Sequence, residues 1–282
     1  MKKFPLGYVG VGLMGGPMVK RLTALGWSVR GYDIVLERSM VGSAAEAAQG
    51  ADVVLLNLPT NEAVEDAVFG AKGLIHAMKK PQLLVDFSTI PVDACRSHAA
   101  RLAKATGCRW VDAPVSGGPP AVEAGTLTVM AGGEAADLER LAPLMKDIAG
   151  RCTHMGPVGA GLAAKMINQL IVGVGHAMLG EAVGLCEKAG IDAARIPECL
   201  AGGYADSNVM KAYWPRMVKR DFAPRGYVRQ LLKDLEMVSA WAEGLHSKTP
   251  VLQSALAAYR ELKKRGLTEL DTSAVVKLYL KG

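Results

Sequence analysis

The sequence predicts two domains: an α/β domain with a doubly wound parallel sheet over residues 1–157, and an all-α domain over residues 158–282. The first prediction rests on short apolar runs that alternate with amphipathic segments, as parallel strands alternate with helical crossovers. The second rests on a change of pattern after Gly156-Pro157, because residues 160–189 contain no proline and later segments keep a helical period.

Each predicted element follows from a local signal. Strands are predicted where apolar runs lie between polar or turn residues, and helices where apolar residues recur every three to four positions. The predicted strands are residues 6–9, 28–32, 53–58, 83–87, 110–113 and 127–130, and the predicted helices of the second domain are residues 160–189, 208–220, 226–243 and 250–265.

The composition is that of a soluble globular protein. Half of the 282 residues are hydrophobic and 32 are glycine, which excludes a disordered tail protein and suits a fold with many tight turns. The net charge of +6 lies mainly in residues 158–282, which hold 17 basic and 12 acidic side chains. Because the basic residues are dispersed and only 5% of residues are aromatic, we expect small anions rather than nucleic acid as partners.

Two features bear on location and assembly. Met1-Lys2-Lys3 leads straight into a strand-like run with no small-residue cleavage site, so we expect no signal peptide and a cytoplasmic protein. Residues 166–180 carry no charge, but this stretch is shorter than the roughly 20 residues that cross a bilayer. It also contains Asn168, Gln169 and His176, so we expect no membrane contact but a helix buried between domains or subunits of a homodimer or homotetramer.

Cysteine and histidine spacing gives no sign of a disulfide framework or a metal site. The five cysteines are odd in number and lack a CxxC spacing, so we expect them to be buried as small hydrophobic side chains. None of the five histidines stands at metal-ligand spacing from another histidine or a cysteine pair. We therefore expect no metal, and structural roles for His154 and His176.

A dinucleotide-binding signature follows the first predicted strand. Gly10-Val11-Gly12-Leu13-Met14-Gly15 fits the pattern GxGxxG and opens a helix that Gly26 stops. The first glycine permits a tight turn, the second lets the backbone approach a pyrophosphate, and the third lets helix and strand pack closely. The sequence therefore predicts a Rossmann-type domain whose cofactor contacts include these six residues.

Asp33 at the end of the second predicted strand indicates the preferred cofactor. It stands 18 residues after Gly15, near the spacing at which a carboxylate accepts hydrogen bonds from the adenosine ribose. Its charge would repel a 2′-phosphate, so we predict NAD. A turn-forming aspartate is the structural alternative, and the nearby Arg30 and Arg38 leave NADP open.

Further motifs resemble one family over virtually the whole chain. The segments are Asp86-Phe87-Ser88-Thr89, Asp112-Ala113-Pro114-Val115-Ser116-Gly117-Gly118, Gly125-Thr126-Leu127-Thr128, Gly159-Ala160-Gly161, Lys165-Met166-Ile167-Asn168-Gln169, Lys233-Asp234-Leu235 and Asp271-Thr272-Ser273-Ala274. In this order they resemble the 3-hydroxyisobutyrate dehydrogenase (β-hydroxyacid dehydrogenase) family, which is related to 6-phosphogluconate dehydrogenase. The Asn168-Gln169 pair is most similar to the tartronate semialdehyde reductase (2-hydroxy-3-oxopropionate reductase) branch.

The resemblance implies a nicotinamide-dependent oxidoreductase acting on a small 3-hydroxy acid or semialdehyde. It implies that Lys165 is the catalytic acid/base and that Asn168 orients the substrate. It further implies a carboxylate site and additional cofactor contacts. The implied carboxylate-binding residues are Ser116, Gly117 and Gly118, and the implied cofactor-binding residues are Leu58, Pro59, Thr89 and Lys233, with Asp234 in support.

The residues themselves are suited to these roles. Lys165, Asn168 and Gln169 share one helical face at the start of an apolar segment, a setting that disfavours the ammonium form and brings its proton within reach of catalysis. The alternative is a lysine whose stem packs on the helix while its head reaches water. Residues 116–118 follow a strand, where bare backbone N–H groups can approach an anion, although a plain turn fits the same residues.

Two departures from the family pattern affect the substrate. Ala121-Val122 stands where the family usually has Gly-Ala, and Gly226 stands where an aromatic residue is expected. Neither change affects the expected reaction type, and both leave the group beyond the carboxylate open. Two other functions are compatible with this fold. An imine reductase is disfavoured by Lys165, and a non-catalytic nucleotide-binding module is disfavoured by Lys165, Asn168 and Ser116 together.

Overall fold

The computed structural model describes residues 3–280, which form two compact units that divide between Lys165 and Met166. This division lies within a helix, eight residues beyond the predicted change of pattern at residue 157. The first turn of that helix belongs to the first unit because it is hydrogen-bonded to a strand end there. The sequence pattern shows where the type of secondary structure changes, whereas the boundary between compact units depends on these tertiary contacts.

The first unit is built on an eight-stranded sheet. Strands β1, β3 and β4 have every residue buried, which explains why they form unbroken apolar runs in the sequence. The strand order is β2-β1-β3-β4-β5-β7-β6, with β8 paired to β7. The bounds are β1 Leu6–Val9, β2 Val29–Tyr32, β3 Val53–Leu56, β4 Leu83–Asp86, β5 Arg109–Asp112, β6 Val115–Ser116, β7 Leu127–Gly132 and β8 Ala149–Gly156.

The sheet is mixed rather than wholly parallel. The first five strands pair in parallel, whereas β7 runs antiparallel to β5 and β6 and parallel to β8. All six predicted strands are present within a few residues of their predicted ends. Strands β6 and β8 were not predicted, because β6 has only two residues and almost every side chain of β8 is exposed, so neither makes an apolar run.

Helices cover this sheet and join its strands. They are α1 Gly15–Ala24, α2 Ala44–Ala48, α3 Asn61–Phe69, α4 Val92–Thr106, α5 Gly118–Ala124 and α6 Ala135–Ile148. Local signals set their ends: the Thr60 side chain accepts a hydrogen bond from the Ala63 N–H at the start of α3, and Gly107 ends α4 in the left-handed conformation.

The second unit is helical, as predicted. Helix α7 spans Ala160–Ala189 and begins in the first unit; it is followed by α8 Ile196–Cys199, α9 Asn208–Lys219, α10 Val228–Gly244, α11 Pro250–Lys264 and a 3₁₀ helix, Thr272–Leu278. Length and composition alone would let α7 cross a membrane, but core helices of soluble proteins have the same properties, and half of its most apolar stretch is buried here.

The cysteines only partly follow the prediction. Cys95, Cys108 and Cys186 are buried, but Cys152 on β8 and Cys199 in α8 are exposed. The prediction treated all five alike because residue type alone does not distinguish an edge strand from a central one. Among residues 3–280, β8 pairs only with β7, which leaves Cys152 at the edge of the sheet.

Candidate active site

The glycine-rich loop follows β1, and each glycine meets a different constraint. Gly10 has φ +95° and Gly15 packs so closely that an added Cβ would lie 1.9 Å from the Gly10 carbonyl oxygen. An added Cβ at Gly12 would meet nothing within 4 Å. The loop is therefore tight at both ends and open in the middle, which is the geometry that lets a backbone approach a pyrophosphate.

Asp33 holds this loop as well as facing the cavity beside it. Its Oδ2 accepts a hydrogen bond from the Val11 N–H at 2.7 Å, and its Oδ1 accepts one from the Val35 N–H at 2.9 Å. Its own N–H donates to the Ser39 hydroxyl at 3.2 Å. Sequence reasoning gave Asp33 a ribose-binding role and missed this bracing of the glycine loop, which no residue spacing reveals.

A cavity of about 450 Å³ lies at the carboxyl ends of β1 to β3. It brings together five of the predicted cofactor residues, and two basic side chains, Arg38 and Lys72, also line it. Lys72 was not anticipated, because it lies in a loop far from any motif. The predicted residues that line the cavity are Gly10, Gly12, Asp33, Leu58 and Pro59.

The ends of β3 and β4 are tied by a buried aspartate. Ser88 donates its N–H to Asp86 Oδ1 at 2.8 Å, and its hydroxyl oxygen accepts the Leu58 N–H at 2.8 Å. Asp86 is fully buried, and this burial raises its pKa to about 7. These two hydrogen bonds fix the position of Leu58 relative to the segment that leads to Thr89.

Asp112 at the end of β5 fixes the start of α7. Its Oδ1 accepts the Gly159 N–H at 2.7 Å and its Oδ2 accepts the Leu162 N–H at 2.8 Å. Burial raises the pKa of Asp112, while these main-chain hydrogen bonds act in the opposite direction. Gly161 lies so close to β7 that an added Cβ would be 2.4 Å from the Met130 carbonyl oxygen. The first turn of α7 is thus fixed within the first unit.

Lys165 lies one turn beyond this anchored start. Its Nζ donates a hydrogen bond to the Val115 carbonyl oxygen at 2.8 Å, and the residue is only 7% exposed. Val115 directly precedes Ser116, and Gly117 and Gly118 follow with φ of +126° and +67°. The structure therefore brings the predicted proton carrier to the predicted carboxylate-binding loop.

The family departure at Ala121 contacts this loop. An added Cβ at Gly117 would lie 2.5 Å from the Ala121 Cβ, so the loop cannot accept a side chain there without moving α5. Gly117 is thus required by both its positive φ and its packing.

In the second unit, Asn168, Gln169 and Asp234 form a chain of hydrogen bonds. Asn168 Nδ2 donates to Gln169 Oε1 at 2.8 Å, and Gln169 Nε2 donates to Asp234 Oδ2 at 2.6 Å. Lys233 Nζ lies 3.3 Å from Asp234 Oδ1. Sequence reasoning grouped Asn168 with Gln169 but did not connect them to Asp234. The cofactor roles of Lys233 and Asp234 stay predictions.

Within residues 3–280, no group of three or more His, Cys, Asp or Glu side chains is placed to hold a metal ion. His176, which the sequence marked as structural, is buried in the second unit against Tyr213, with 3.9 Å between ring centroids.

Two family models match the chain. The model of the NAD-binding domain of 6-phosphogluconate dehydrogenase matches residues 5–156, and the model of the NAD-binding region of NADP-dependent 3-hydroxyisobutyrate dehydrogenase matches residues 159–279. Both describe nicotinamide-dinucleotide-binding regions, which confirms the predicted cofactor class, NAD or NADP. The predicted preference for NAD stays a prediction.

Individual relatives agree over nearly the full chain. The NAD-dependent L-serine dehydrogenase of Pseudomonas aeruginosa is 35% identical, with 97% of each chain covered. The 2-hydroxy-3-oxopropionate reductase of Escherichia coli is 32% identical, covering 96% of this chain and 95% of its own. The crystal structure of 3-hydroxyisobutyrate dehydrogenase from Salmonella typhimurium superimposes with a TM-score of 0.88 at 30% identity, covering 98% and 100%. An imine reductase from a Pseudomonas species shares only the fold, at 17% identity and a TM-score of 0.56.

Proposed function

The chain belongs to the 3-hydroxyisobutyrate dehydrogenase family, and we propose that it transfers a hydride between a nicotinamide cofactor and a short 3-hydroxy acid or its semialdehyde. Lys165 is the general acid/base of this reaction. The observation that carries the proposal is the hydrogen bond from Lys165 Nζ to the Val115 carbonyl oxygen, since it places a titratable amine beside the loop 116–118. Hydride chemistry is supplied by the bound cofactor, and proton transfer by the protein.

The first unit is shaped to hold that cofactor. Gly12 leaves open space at the middle of the loop, the N–H groups at the start of α1 lie behind it, and the cavity next to it is lined by Asp33 and Leu58. Asp33 would accept hydrogen bonds from the ribose hydroxyls and repel a 2′-phosphate. We therefore propose NAD as the preferred cofactor, with Arg38 and Lys72 as the side chains that would moderate the discrimination against NADP.

Lys165 carries the proton in both directions. In oxidation, the neutral amine takes the hydroxyl proton while the carbon-bound hydrogen leaves as hydride; in reduction, the ammonium returns the proton to the carbonyl oxygen. Both the neutral amine and the ammonium form of Lys165 can donate an N–H to the Val115 carbonyl oxygen. The orientation of the nitrogen is therefore the same in both protonation states. The proton is exchanged with the substrate oxygen at another position on the same nitrogen.

The substrate class follows from two anchors. Backbone N–H groups of residues 116–118 bind the carboxylate, while Lys165 and Asn168, one helical turn apart on α7, serve the reacting oxygen. A short spacer between the anchors places that oxygen on the carbon β to the carboxylate. L-serine and 2-hydroxy-3-oxopropionate, which name two of the relatives, both have this arrangement. The Asn168-Gln169 pair favours the 2-hydroxy-3-oxopropionate branch.

A substrate panel tests the proposal. 3-Hydroxy acids, including L-serine, and their semialdehydes are assayed with NAD and NADP by following cofactor absorbance, and each acid is compared with its methyl ester. We expect turnover of the acids, higher kcat/KM with NAD, and loss of most activity with the ester, because a neutral analogue leaves the backbone donors unpaired. An ester used as efficiently as its acid would contradict the carboxylate site, and better use of NADP would contradict the assignment of Asp33.

The same family membership supports a soluble, cytoplasmic homo-oligomer with no nucleic-acid or membrane partner. The observation that supports an oligomer is an exposed apolar stripe on α7, whose side chains recur at spacings of four, seven and seven residues. They are Ile167 (47% exposed), Ile171 (63%), Met178 (59%) and Leu185 (66%). We propose that this stripe pairs subunits in a homodimer or homotetramer. Light scattering tests this: the chain should be oligomeric, and Ile171→Asp should shift it toward monomer.

A further inference from the structure

We propose that Asp234 and Gln169 are positioning residues that fix the direction of the Asn168 side-chain amide, and this inference rests on the proposed function of Asn168. The three residues form what we call the amide relay: Asp234 accepts from Gln169 at 2.6 Å, and Gln169 accepts from Asn168 at 2.8 Å. Asp234 is the end of the relay that has charge, and Asn168 is the end that meets the substrate.

The sense of the relay is dictated by the carboxylate. An ionised carboxylate only accepts hydrogen bonds, so the Gln169 atom beside Asp234 Oδ2 must be the nitrogen, Nε2. Gln169 then turns its oxygen toward Asn168, and an oxygen can be met there only by the Asn168 nitrogen, Nδ2. Reversing either amide would set two acceptors or two donors against each other.

Burial makes this orientation costly to reverse. Gln169 and Asp234 are each only 8% exposed, so little water is available to satisfy a reversed amide. Lys233 Nζ lies 3.3 Å from the other Asp234 oxygen, so both carboxylate oxygens face a donor. A single orientation of Gln169 is therefore strongly preferred in this setting.

The relay therefore fixes the direction of the Asn168 hydrogen-bonding groups that Gln169 does not use. One of its two Nδ2 hydrogens is committed to Gln169, so the second N–H and Oδ1 are presented in one orientation. Asn168 lies three residues after Lys165 on α7, hence on the same side of the helix. We infer that the second N–H donates to the reacting oxygen, where charge develops as Lys165 moves the proton. The relay should therefore affect kcat more than KM.

Three variants test the relay with the best substrate of the panel. Gln169→Glu replaces the Gln169 donor by an acceptor and places two carboxylates at hydrogen-bond distance. We expect kcat to fall at least about tenfold at pH of about 8 with KM changed less than about twofold, since repulsion between the two carboxylates displaces residue 169 from Asn168 and the developing charge loses an oriented donor. As the pH falls, the two carboxylates share a proton and the hydrogen bond returns, so kcat should recover relative to wild type.

Asp234→Asn keeps the shape and removes the charge and the Lys233 contact. Its side-chain oxygen can still accept from Gln169, so we expect a loss of only a few-fold. The double variant Gln169→Glu/Asp234→Asn reverses the second hydrogen bond: the new amide at position 234 donates to the new carboxylate at position 169, which still accepts from Asn168. We expect its kcat to match that of Asp234→Asn, and the pH dependence of Gln169→Glu to disappear. This exchange also keeps the wild-type net charge.

Gln253→Glu is the matched control, because Gln253 is exposed and donates to Ser239 on another face of the second unit. It adds the same charge as Gln169→Glu and should leave kcat and its pH profile unchanged. Thermal denaturation of each variant reports on folding.

The outcomes separate the two proposals. A wild-type chain that oxidises no hydroxy acid overturns the proposed function and the relay with it. If the wild type is active, the relay alone is overturned by a Gln169→Glu enzyme with normal kcat, or by a double variant that is no better than Gln169→Glu at any pH.

Discussion

The two units hold their candidate site residues by different means. In the first unit, the buried carboxylates of Asp33, Asp86 and Asp112 accept hydrogen bonds from main-chain N–H groups. In the second unit, the candidate residues are hydrogen-bonded to other side chains: Gln169 accepts from Asn168 and donates to Asp234. A main-chain donor is present whatever the sequence, so a single acidic residue suffices to brace a loop, whereas a side-chain relay needs matched partners from distant positions.

Each unit also buries a group whose pKa is strongly shifted, and the two shifts have opposite consequences. In the first unit, burial raises the pKa of Asp86 to about 7. In the second unit, burial lowers the pKa of His176 to about 4. Asp86 should therefore make the first unit less stable as the pH rises, whereas His176 should make the second unit less stable as the pH falls, and each contribution can be measured unit by unit.

The largest expected effect is on the first unit. Folded Asp86 keeps its proton up to about pH 7, while the unfolded carboxyl loses it near its ordinary pKa of 3.8. Stability should fall as the pH rises from about 4 to 7, by about 4 kcal/mol at 1.36 kcal/mol per unit of pKa. Hydrogen-exchange mass spectrometry over this range should show the slope in the first unit. Asp86→Asn should reduce the slope and leave the part due to Asp112, whose pKa is also raised by burial, and Asp93→Asn, on an exposed side chain, should leave the slope unchanged; an unchanged slope in Asp86→Asn would contradict the role of Asp86.

The second unit should respond to acid instead. Unfolded His176 binds a proton below its ordinary pKa of 6.5, but the folded ring binds one only near pH 4. Stability of this unit should fall as the pH drops from about 6.5 to 4, by about 3 kcal/mol. In the part of the chain that the structure describes, neither ring nitrogen has a hydrogen-bond partner, so His176→Leu should be tolerated and should flatten the slope. His154→Gln, in the first unit, should leave the slope in place.

Replacing Lys165, the last residue of the first unit, tests its proposed role as the general acid/base. Lys165→Ala should lower kcat at least about a hundredfold, equivalent to about 2.7 kcal/mol, with little change in cofactor affinity, because a general acid/base is removed from a fixed site. Lys165→Arg should not restore it, since a guanidinium stays protonated. Stopped-flow rates and cofactor fluorescence titrations measure the two quantities. Lys188→Ala, at the exposed end of the same helix, is the control; near-normal turnover in Lys165→Ala would leave the reaction without its proton carrier.

The smallest effect concerns the brace on the glycine loop. Asparagine at position 33 offers one acceptor where Asp33 offers two, so either Val11 or Val35 loses its partner. Asp33→Asn should weaken NAD binding about tenfold for a loss of about 1.4 kcal/mol, and weaken NADP binding less, because the charge that repels the 2′-phosphate is removed as well. Ser39→Ala removes a neighbouring contact without touching the carboxylate and should change affinity less. Unchanged NAD affinity in Asp33→Asn would show that the hydrogen bonds to Val11 and Val35 do not hold the loop in its binding shape.

Sequence patterns predicted local elements in both units better than the contacts between residues that are distant in the sequence. Apolar runs located the buried strands, and the glycine loop is local, so three glycines and a following helix specify its shape. The relay depends on how α7 and α10 pack, and its ends are 66 residues apart, so no spacing rule exposes it. The exposed strand β8 and the Lys72 side chain in the cavity were missed for the same reason, since neither produces a local pattern.

Helix α7 has one more consequence, for how this protein can change over evolutionary time. Lys165 and Asn168 lie three residues apart on a continuous helix, so their axial spacing of about 4.5 Å is set by helix geometry and not by any loop. The residues that depart from the family, Ala121 and Gly226, lie outside that helix. A lineage can therefore replace the residues that contact a different acid one at a time, while the proposed proton carrier and its proposed amide partner stay together on one helix.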